Sequence, residues 1–346
     1  MEQKNFDPDG VGVDNGTYFG LPFAPETAEL VLISAPWDVT VSYGAGAAYA
    51  PDAIIEASTQ LDFHDPLAPG VWRRGIATAD VDYSLLESSQ RLRADAARVI
   101  DHLEGGGCLE DDYVVRKVRR VNEGCMSMNA NIGAQAARWL DAGKTVGLVG
   151  GDHSTPYGLI RALGDRHGEF GILHIDAHCD LRDAYEGFEF SHASIMFNVL
   201  RDVPSVKKIA QVAVRDFSGT EAALAASSAR VATFDDLSLA AAMFRGETWD
   251  ALCRRIVDAL PQEVYVSFDI DGLTFENCPH TGTPVCGGLT FNQAVWLLDT
   301  LVRSGRRIIG FDVVEVAPAP EAKVDAITGA RMLWKLCNLT LKSNGR

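Results

Sequence analysis

Eight continuous apolar runs, rich in β-branched residues, recur through this 346-residue chain, and several of them stop abruptly on ionisable side chains. The runs lie at 28–37, 75–83, 144–154, 170–178, 207–216, 229–237, 263–271 and 307–316. They are continuous rather than alternating, as expected of parallel strands covered on both faces. Helical patterns lie between them at 88–107, 126–143, 155–168 and 290–305, with Thr290 placed as an N-cap and Pro156 at a helix start. This β-α alternation predicts a single three-layer α/β/α domain built on a mostly parallel sheet of about eight strands. The domain is expected to span 28–346, with residues 1–27 an N-terminal extension. The charged stretch 109–124 reads as a second decoration on the core.

In sheets of this kind chemistry collects at the carboxyl ends of the strands, and the rare residue types sit there. "VGLVGGDHS" ends on Asp152 and His153, and "ILHIDAHCD" on Asp176, His178 and Asp180. "VYVSFDIDG" ends on Asp269 and Asp271, and "IIGFDVVEV" on Glu315. If 176–180 continued as a strand, its three ionisable groups would share one face. Buried together they repel and resist desolvation unless something cationic sits among them. His153, His178, Asp176, Asp180, Asp269 and Asp271 are too many ligands for one catalytic metal, which needs an open position. They suit two metals with bridging carboxylates. The oxygen-rich set favours manganese over zinc, while nickel, cobalt and iron stay open. Water between two such ions has its pKa lowered towards neutral and becomes a hydroxide nucleophile.

Charge and cysteine usage narrow the field. A net charge of −16 argues against nucleic acid and anionic membranes, which want a basic face, and is compatible with a cationic substrate. The residues after Met1 contain no apolar signal-peptide core, and no run approaches the ~18 residues of a membrane span. Seven scattered cysteines with no Cys-x-x-Cys pair make a thiolate zinc site unexpected and fit a reducing cytoplasm.

"GGDHS", "DAHCDLRDAYEGFEFSHAS" and "SFDIDG…TGTPVCGGLT" resemble the three signatures of the ureohydrolases, the arginase and agmatinase family. The upstream "VSYGAGAAYAPDAIIEAS" resembles that family's early glycine-rich loop leading into a helix. The resemblance implies that His153, Asp176, Asp180 and Asp269 hold one manganese. It assigns Asp176, His178, Asp269 and Asp271 to the other, with Asp176 and Asp269 bridging. It further implies attack of a metal-bridging hydroxide on a guanidinium carbon, releasing urea and an amine, with Asp180 orienting the hydroxide. His192, in "FSHAS", resembles the loop histidine that shuttles protons. Glu315 resembles the glutamate that grips the substrate guanidinium. The family also implies a homo-oligomer, a trimer or hexamer.

His174 is expected in the core or behind the ligands, Asp152 as a support for the loop or the imidazole, and Cys179 pointing away from the site. Gly282, Gly287 and Gly288 are expected to serve backbone geometry. "DLRDAYEGFEFSHAS" is most like the agmatinase branch, which favours agmatine, the products being putrescine and urea and the pathway polyamine synthesis. Tyr185, Asp183 and Glu186 are the candidates for holding the distal end of that small cationic substrate. The "GLTFENCPHTGTP" segment departs from the agmatinase pattern at Thr274, Phe275 and His280, with His280 expected close to the metals. Guanidinobutyrate, guanidinopropionate, guanidine, arginine and formiminoglutamate therefore stay open. A non-catalytic relative would show a damaged ligand set, and a single-zinc deacylase would not need Asp271.

Overall fold

Each of the eight apolar runs forms a strand. The computed structural model describes residues 6–319 and 321–345. In chain order the strands are β1 (Leu30–Ala35), β2 (Ile76–Thr78), β3 (Thr145–Gly150), β4 (Phe170–Ile175), β5 (Val206–Val212), β6 (Val231–Phe234), β7 (Glu263–Asp269) and β8 (Arg307–Val314). They make one sheet in the order β2-β1-β3-β8-β7-β4-β5-β6, and every pairing is parallel. Successive side chains serve opposite faces. Leu30 and Leu32 enter one apolar cluster, and Val31 and Ile33 enter the other.

Helices cover both faces. On one side lie α1 (Ala50–Ser58), α7 (Asp236–Phe244), α8 (Trp249–Asp258), α9 (Phe291–Arg303) and α10 (Val324–Ser343). On the other lie α2 (Tyr83–Glu104), α3 (Asp112–Asp141), α4 (Tyr157–Gly164) and α5 (Ile195–Asp202). The short α6 (Gly219–Ser227) follows β5 and begins with a capping box, Ser218 and Glu221 satisfying each other's backbone amides. Thr290 caps α9 in the same way through Gln293. The result is the expected three-layer α/β/α domain.

The stretch 109–124 is no decoration: from Asp112 onward it is the first half of α3. Val114, Val121, Cys125, Met128 and Ile132 are buried at helical spacing, and the dense charge between them had hidden that stripe. Ahead of residue 28, the chain packs into the core. Tyr18 and Phe19 are each 1% exposed. The Tyr18 hydroxyl meets Ser34 Oγ at 2.8 Å, the Phe19 amide donates to Ser58 Oγ at 2.7 Å, and the Phe19 ring stands edge-on to Trp334.

What matters for function is the sheet's centre. β3, β8, β7, β4 and β5 are consecutive neighbours, and their carboxyl ends carry every ionisable group singled out above on a strand end. The last two strands in sequence, β7 and β8, fill the middle. The site therefore exists only once the two halves of the chain have met.

Because Phe19 is a core residue, Phe19→Ala is expected to cost about 3–5 kcal/mol. A shift of the urea midpoint checks this; a loosely attached segment would change stability by less than about 0.5 kcal/mol.

Candidate metal centre and substrate cavity

The ligands converge through loops. β4 ends at Ile175, and Asp180 takes a left-handed backbone (φ 53°), so Asp176, His178 and Asp180 do not share a strand face. The turn brings them together instead. His178 Nδ1 lies 3.4 Å from Asp176 Oδ1 and 3.1 Å from Asp271 Oδ2. His153 Nδ1 lies 2.9 Å from Asp176 Oδ2, 2.9 Å from Asp180 Oδ2 and 3.2 Å from Asp269 Oδ2. Asp176 thus faces both imidazoles. Backbone amides fix the outer carboxylate oxygens: His178 N donates to Asp176 Oδ1, Ala177 N to Asp271 Oδ1, and Asp271 N to Asp269 Oδ1.

The imidazole of His153 is oriented from behind. Ser267 Oγ donates to Asp312 Oδ2 (2.9 Å), so it is free to accept from His153 Nε2–H at 2.9 Å. That leaves His153 Nδ1 aimed at three carboxylates, and neither it nor Asp271 Oδ2 makes a hydrogen bond. One ring nitrogen facing three carboxylate oxygens needs positive charge among them, a proton on the ring or a metal ion in its place. His174 is close enough to join the group, yet both its nitrogens are engaged. Gln211 Nε2 donates to His174 Nδ1, and His174 Nε2 donates to Asp176 Oδ2 at 2.8 Å. It holds a ligand in place, as its position suggested. Asp152 binds Ser154 and so supports the loop rather than the imidazole.

Titration behaviour reflects the crowding. Burial raises Asp269, and repulsion from Asp271 and Asp176 raises it further, well above the usual carboxylate range. Asp180 is raised by burial and by Asp176. Asp176 goes the other way: burial is outweighed by His174, His153 and His178, which hold it well below that range. For His178 burial is outweighed by Asp271 and Asp176, which push it up to about 12, and the carboxylates likewise hold His153 well above its ordinary value. Protons on two imidazoles occupy the place of two cations, so metal binding will release them.

The arginase-family profile matches residues 28–338 of the chain. The N(1)-aminopropylagmatine ureohydrolase of Thermus thermophilus is 30% identical over 323 residues, 93% of this chain and 94% of that one. An agmatinase of Escherichia coli is 28% identical over 323 residues, covering 92% and 89%. The crystallised proclavaminate amidino hydrolase of Streptomyces clavuligerus superposes with a TM-score of 0.71 at 20% identity, over 94% of this chain and 97% of that one. The chain belongs to the arginase family. It is accordingly an enzyme of the ureohydrolase type, with a metal-capable His/Asp cluster at its centre.

An arginase-family cluster needs room for substrate, and a cavity of about 420 Å³ opens on it. His153, His178, Asp180, Asp269, His192 and Glu315 line its inner end. Glu315 sits at φ 61°, is 4% exposed, and accepts from the His153 amide at 2.8 Å. No arginine or lysine pairs with it among the described residues, and burial with repulsion from Asp152 raises its pKa well above the usual range. His192 is pushed down to about 3 by burial, then by His178 and His153. Its amide donates to Thr40 Oγ1, and its ring stands edge-on to Tyr185.

The outer wall differs from the sequence expectation. Tyr185 lines it, but Asp183 and Glu186 do not; the acids there are Asp216 and Glu221, which sequence reasoning missed. Asp183 is exposed, and Glu186 is held against α2, where burial and Glu104 push its pKa up to about 7. His280 is not in the cavity either: its amide and Nδ1 bind Asp325 at the start of α10. Thr274 and Phe275 also lie off the cavity, whereas Gly282 backs Glu315, a Cβ there standing 3.3 Å from Glu315 Oε2. Cys179 is buried in the core. Ser267 and Asp312 were missed as well, although a lone aspartate inside "IIGFDVV" was a readable signal, since a buried acid demands a partner.

Two outcomes follow. Ser267→Ala leaves Asp312 Oδ2 and His153 Nε2 without their shared partner, while the Phe268 amide still holds Asp312 Oδ1. It should weaken divalent-metal binding by about 10–100-fold, measured by isothermal titration calorimetry. Glu186 has a folded pKa raised above its unfolded one, so its contribution is harmless below about 4.5, grows destabilising as pH rises from there, and is at its full cost above about 7. Glu186→Gln should therefore raise the melting temperature at pH 8 and leave it unchanged at pH 4.

Proposed function

We propose that this enzyme hydrolyses agmatine to putrescine and urea, in polyamine synthesis, with two manganese ions at the cluster. The observation that carries the reading is one cavity in which a buried glutamate, Glu315, with no arginine or lysine partner among the described residues, shares the lining with His153, His178, Asp180 and Asp269, while Asp176 and Asp271 stand against those imidazoles. His153, Asp176, Asp180 and Asp269 are assigned to one ion, and Asp176, His178, Asp269 and Asp271 to the other. When bound, the pair supplies a water of lowered pKa as nucleophile at neutral pH.

The chain's own groups do the rest. Glu315 gains an anionic form when a guanidinium pairs with it, since that cation offsets its burial. It holds the electrophilic carbon against the cluster, where position counts for more than strength of binding. Asp180 accepts a hydrogen bond from the attacking water and fixes its direction. His192, neutral because its pKa lies near 3, is a relay that passes on any proton it takes, here towards the departing amine. The carbon–nitrogen bond breaks as that amine takes up its proton.

At the outer wall Arg182 is already engaged, stacked 4.5 Å over the Tyr185 ring and 3.5 Å from Glu221. Glu221 is itself spent on the Leu181 amide and the cap of α6. Asp216 is exposed and has no ion-pair partner among the described residues, so it is assigned to the distal ammonium. The Thermus relative's name denotes an aminopropyl-extended agmatine, which the same wall could accept. The presence of Arg182 on the wall favours one second reading, a guanidino acid. A cytoplasmic homo-oligomer completes the proposal, testable by mass in solution.

Urea release by manganese-loaded enzyme should favour agmatine at least about tenfold in kcat/KM over arginine, guanidine, guanidinobutyrate and guanidinopropionate. Asp176→Ala should abolish it. Loss of a charge-assisted contact predicts that Asp216→Asn raises KM for agmatine about 10–100-fold and leaves guanidine turnover unchanged. A preference for guanidinobutyrate would shift recognition to Arg182. Formamide from formiminoglutamate, or no turnover at all, would sink the reaction itself.

A further inference from the structure

One guanidinium stands where the ligand loops meet the substrate wall, and none of its partners is a carboxylate. Arg215 lies just past the end of β5. Its Nη2 donates to Asp271 O (2.7 Å), Val285 O (2.9 Å) and Leu273 O (3.2 Å). Nε donates to Cys286 O (3.1 Å) and Nη1 to Ala213 O (3.0 Å). Its own amide donates to Ala177 O at 2.7 Å, between Asp176 and His178. Among the described residues it has no ion-pair partner.

These partners are the backbone of the site. Ala177 belongs to the loop of the first aspartate pair, Asp271 to the second, and Val285 to the cavity wall. The guanidinium fork reaches carbonyls on separate segments at once from three nitrogens in a fixed plane, a wider span than an ammonium's three donors on one nitrogen. The chain also makes room for it: at Gly287 (φ 102°) a Cβ would stand 3.1 Å from Arg215 Cδ. The positive φ and Asp236 Oδ2, 2.5 Å from that Cβ, make glycine necessary there, and the arginine stem adds to the crowding.

We propose that Arg215 is a positioning residue that sets Asp271 and the wall at 283–286 in one register, so that metal affinity and substrate affinity depend on a single side chain. The proposal rests on the two-metal reading above. Its reach is specific. A group that only stabilised the fold would shift melting temperature without singling out Asp271 or the wall.

The test uses the full-length, manganese-loaded enzyme and the variants Arg215→Lys and Arg215→Gln. Manganese affinity is measured by calorimetry, and kcat and KM are separated. A nitroxide on Cys286 reports wall mobility in a Cys108→Ser background, since Cys108 and Cys286 are the exposed cysteines and the others are buried. Expected are a 10–100-fold weaker manganese site, a raised KM, a more mobile label, and partial recovery in Arg215→Lys relative to Arg215→Gln. Unchanged affinity and label mobility overturn the proposal whatever happens to melting temperature, and so does failure of both variants to fold. Fewer than two manganese ions on the wild type would overturn the two-metal reading instead, and the label would then decide the role of Arg215 alone.

Discussion

Five acidic side chains at the centre of a parallel sheet's carboxyl edge, nearly cut off from water, set the terms for the rest of this molecule. Asp176, Asp180, Asp269, Asp271 and Glu315 are each at most 5% exposed. Charges so placed cannot all ionise unaided, and the site divides them: Asp176 is held low by three imidazoles, while Asp269 and Glu315 are driven up. The imidazoles of His153 and His174 are held in turn by Ser267 and Gln211. The contacts run between residues far apart in sequence, such as His153 to Glu315 and Ala177 to Asp271. Forming the site and closing the middle of the sheet are one event, so cations that neutralise the cluster contribute directly to folding free energy.

Strain gathers at the same place. Asp180 and Glu315 hold left-handed backbones that ordinary side chains adopt at a cost of about 1–3 kcal/mol each. Both are pinned by hydrogen bonds: Met196 and Phe197 amides donate to Asp180 O, the Glu315 amide donates to Gly151 O, and Thr281 Oγ1 donates to Glu315 O. The geometry at the cluster is thus imposed by the surrounding fold. A relaxed strand end would turn one of these carboxylates away.

Much of this was legible in the chain. Central parallel strands are buried on both faces, so they are continuous apolar runs, and acids at their ends stand out against that background. All eight runs became strands, and the six ligand candidates met. The turn conformations were not legible. A period-two spacing at 176–180 looks the same whether the strand continues or a left-handed residue intervenes, and only tertiary contacts choose. The same ignorance of loop paths put Asp183 and Glu186 at the substrate and His280 close to the metals, whereas the acids that the fold brings to the outer cavity wall are Asp216 and Glu221. The first half of α3 was hidden because charge density masked an apolar stripe.

Two kinds of surface therefore meet in one cavity. Its inner end is made by strand termini, whose positions are locked by the sheet and by the need to hold opposite charges together. Its outer end is made by segments around Arg182, Asp216 and residues 283–285, whose backbone is tied to the ligand loops through Arg215 but whose exposed side chains, Asp216 among them, carry no such tie. Changes confined to those side chains leave the backbone that carries the cluster in place. A change at the cluster strands a buried charge, with a penalty of several kcal/mol. A chain of this fold can thus alter what it recognises far more cheaply than how it reacts. The side chains that decide the substrate are then the ones that neither strand pattern nor ligand spacing announces.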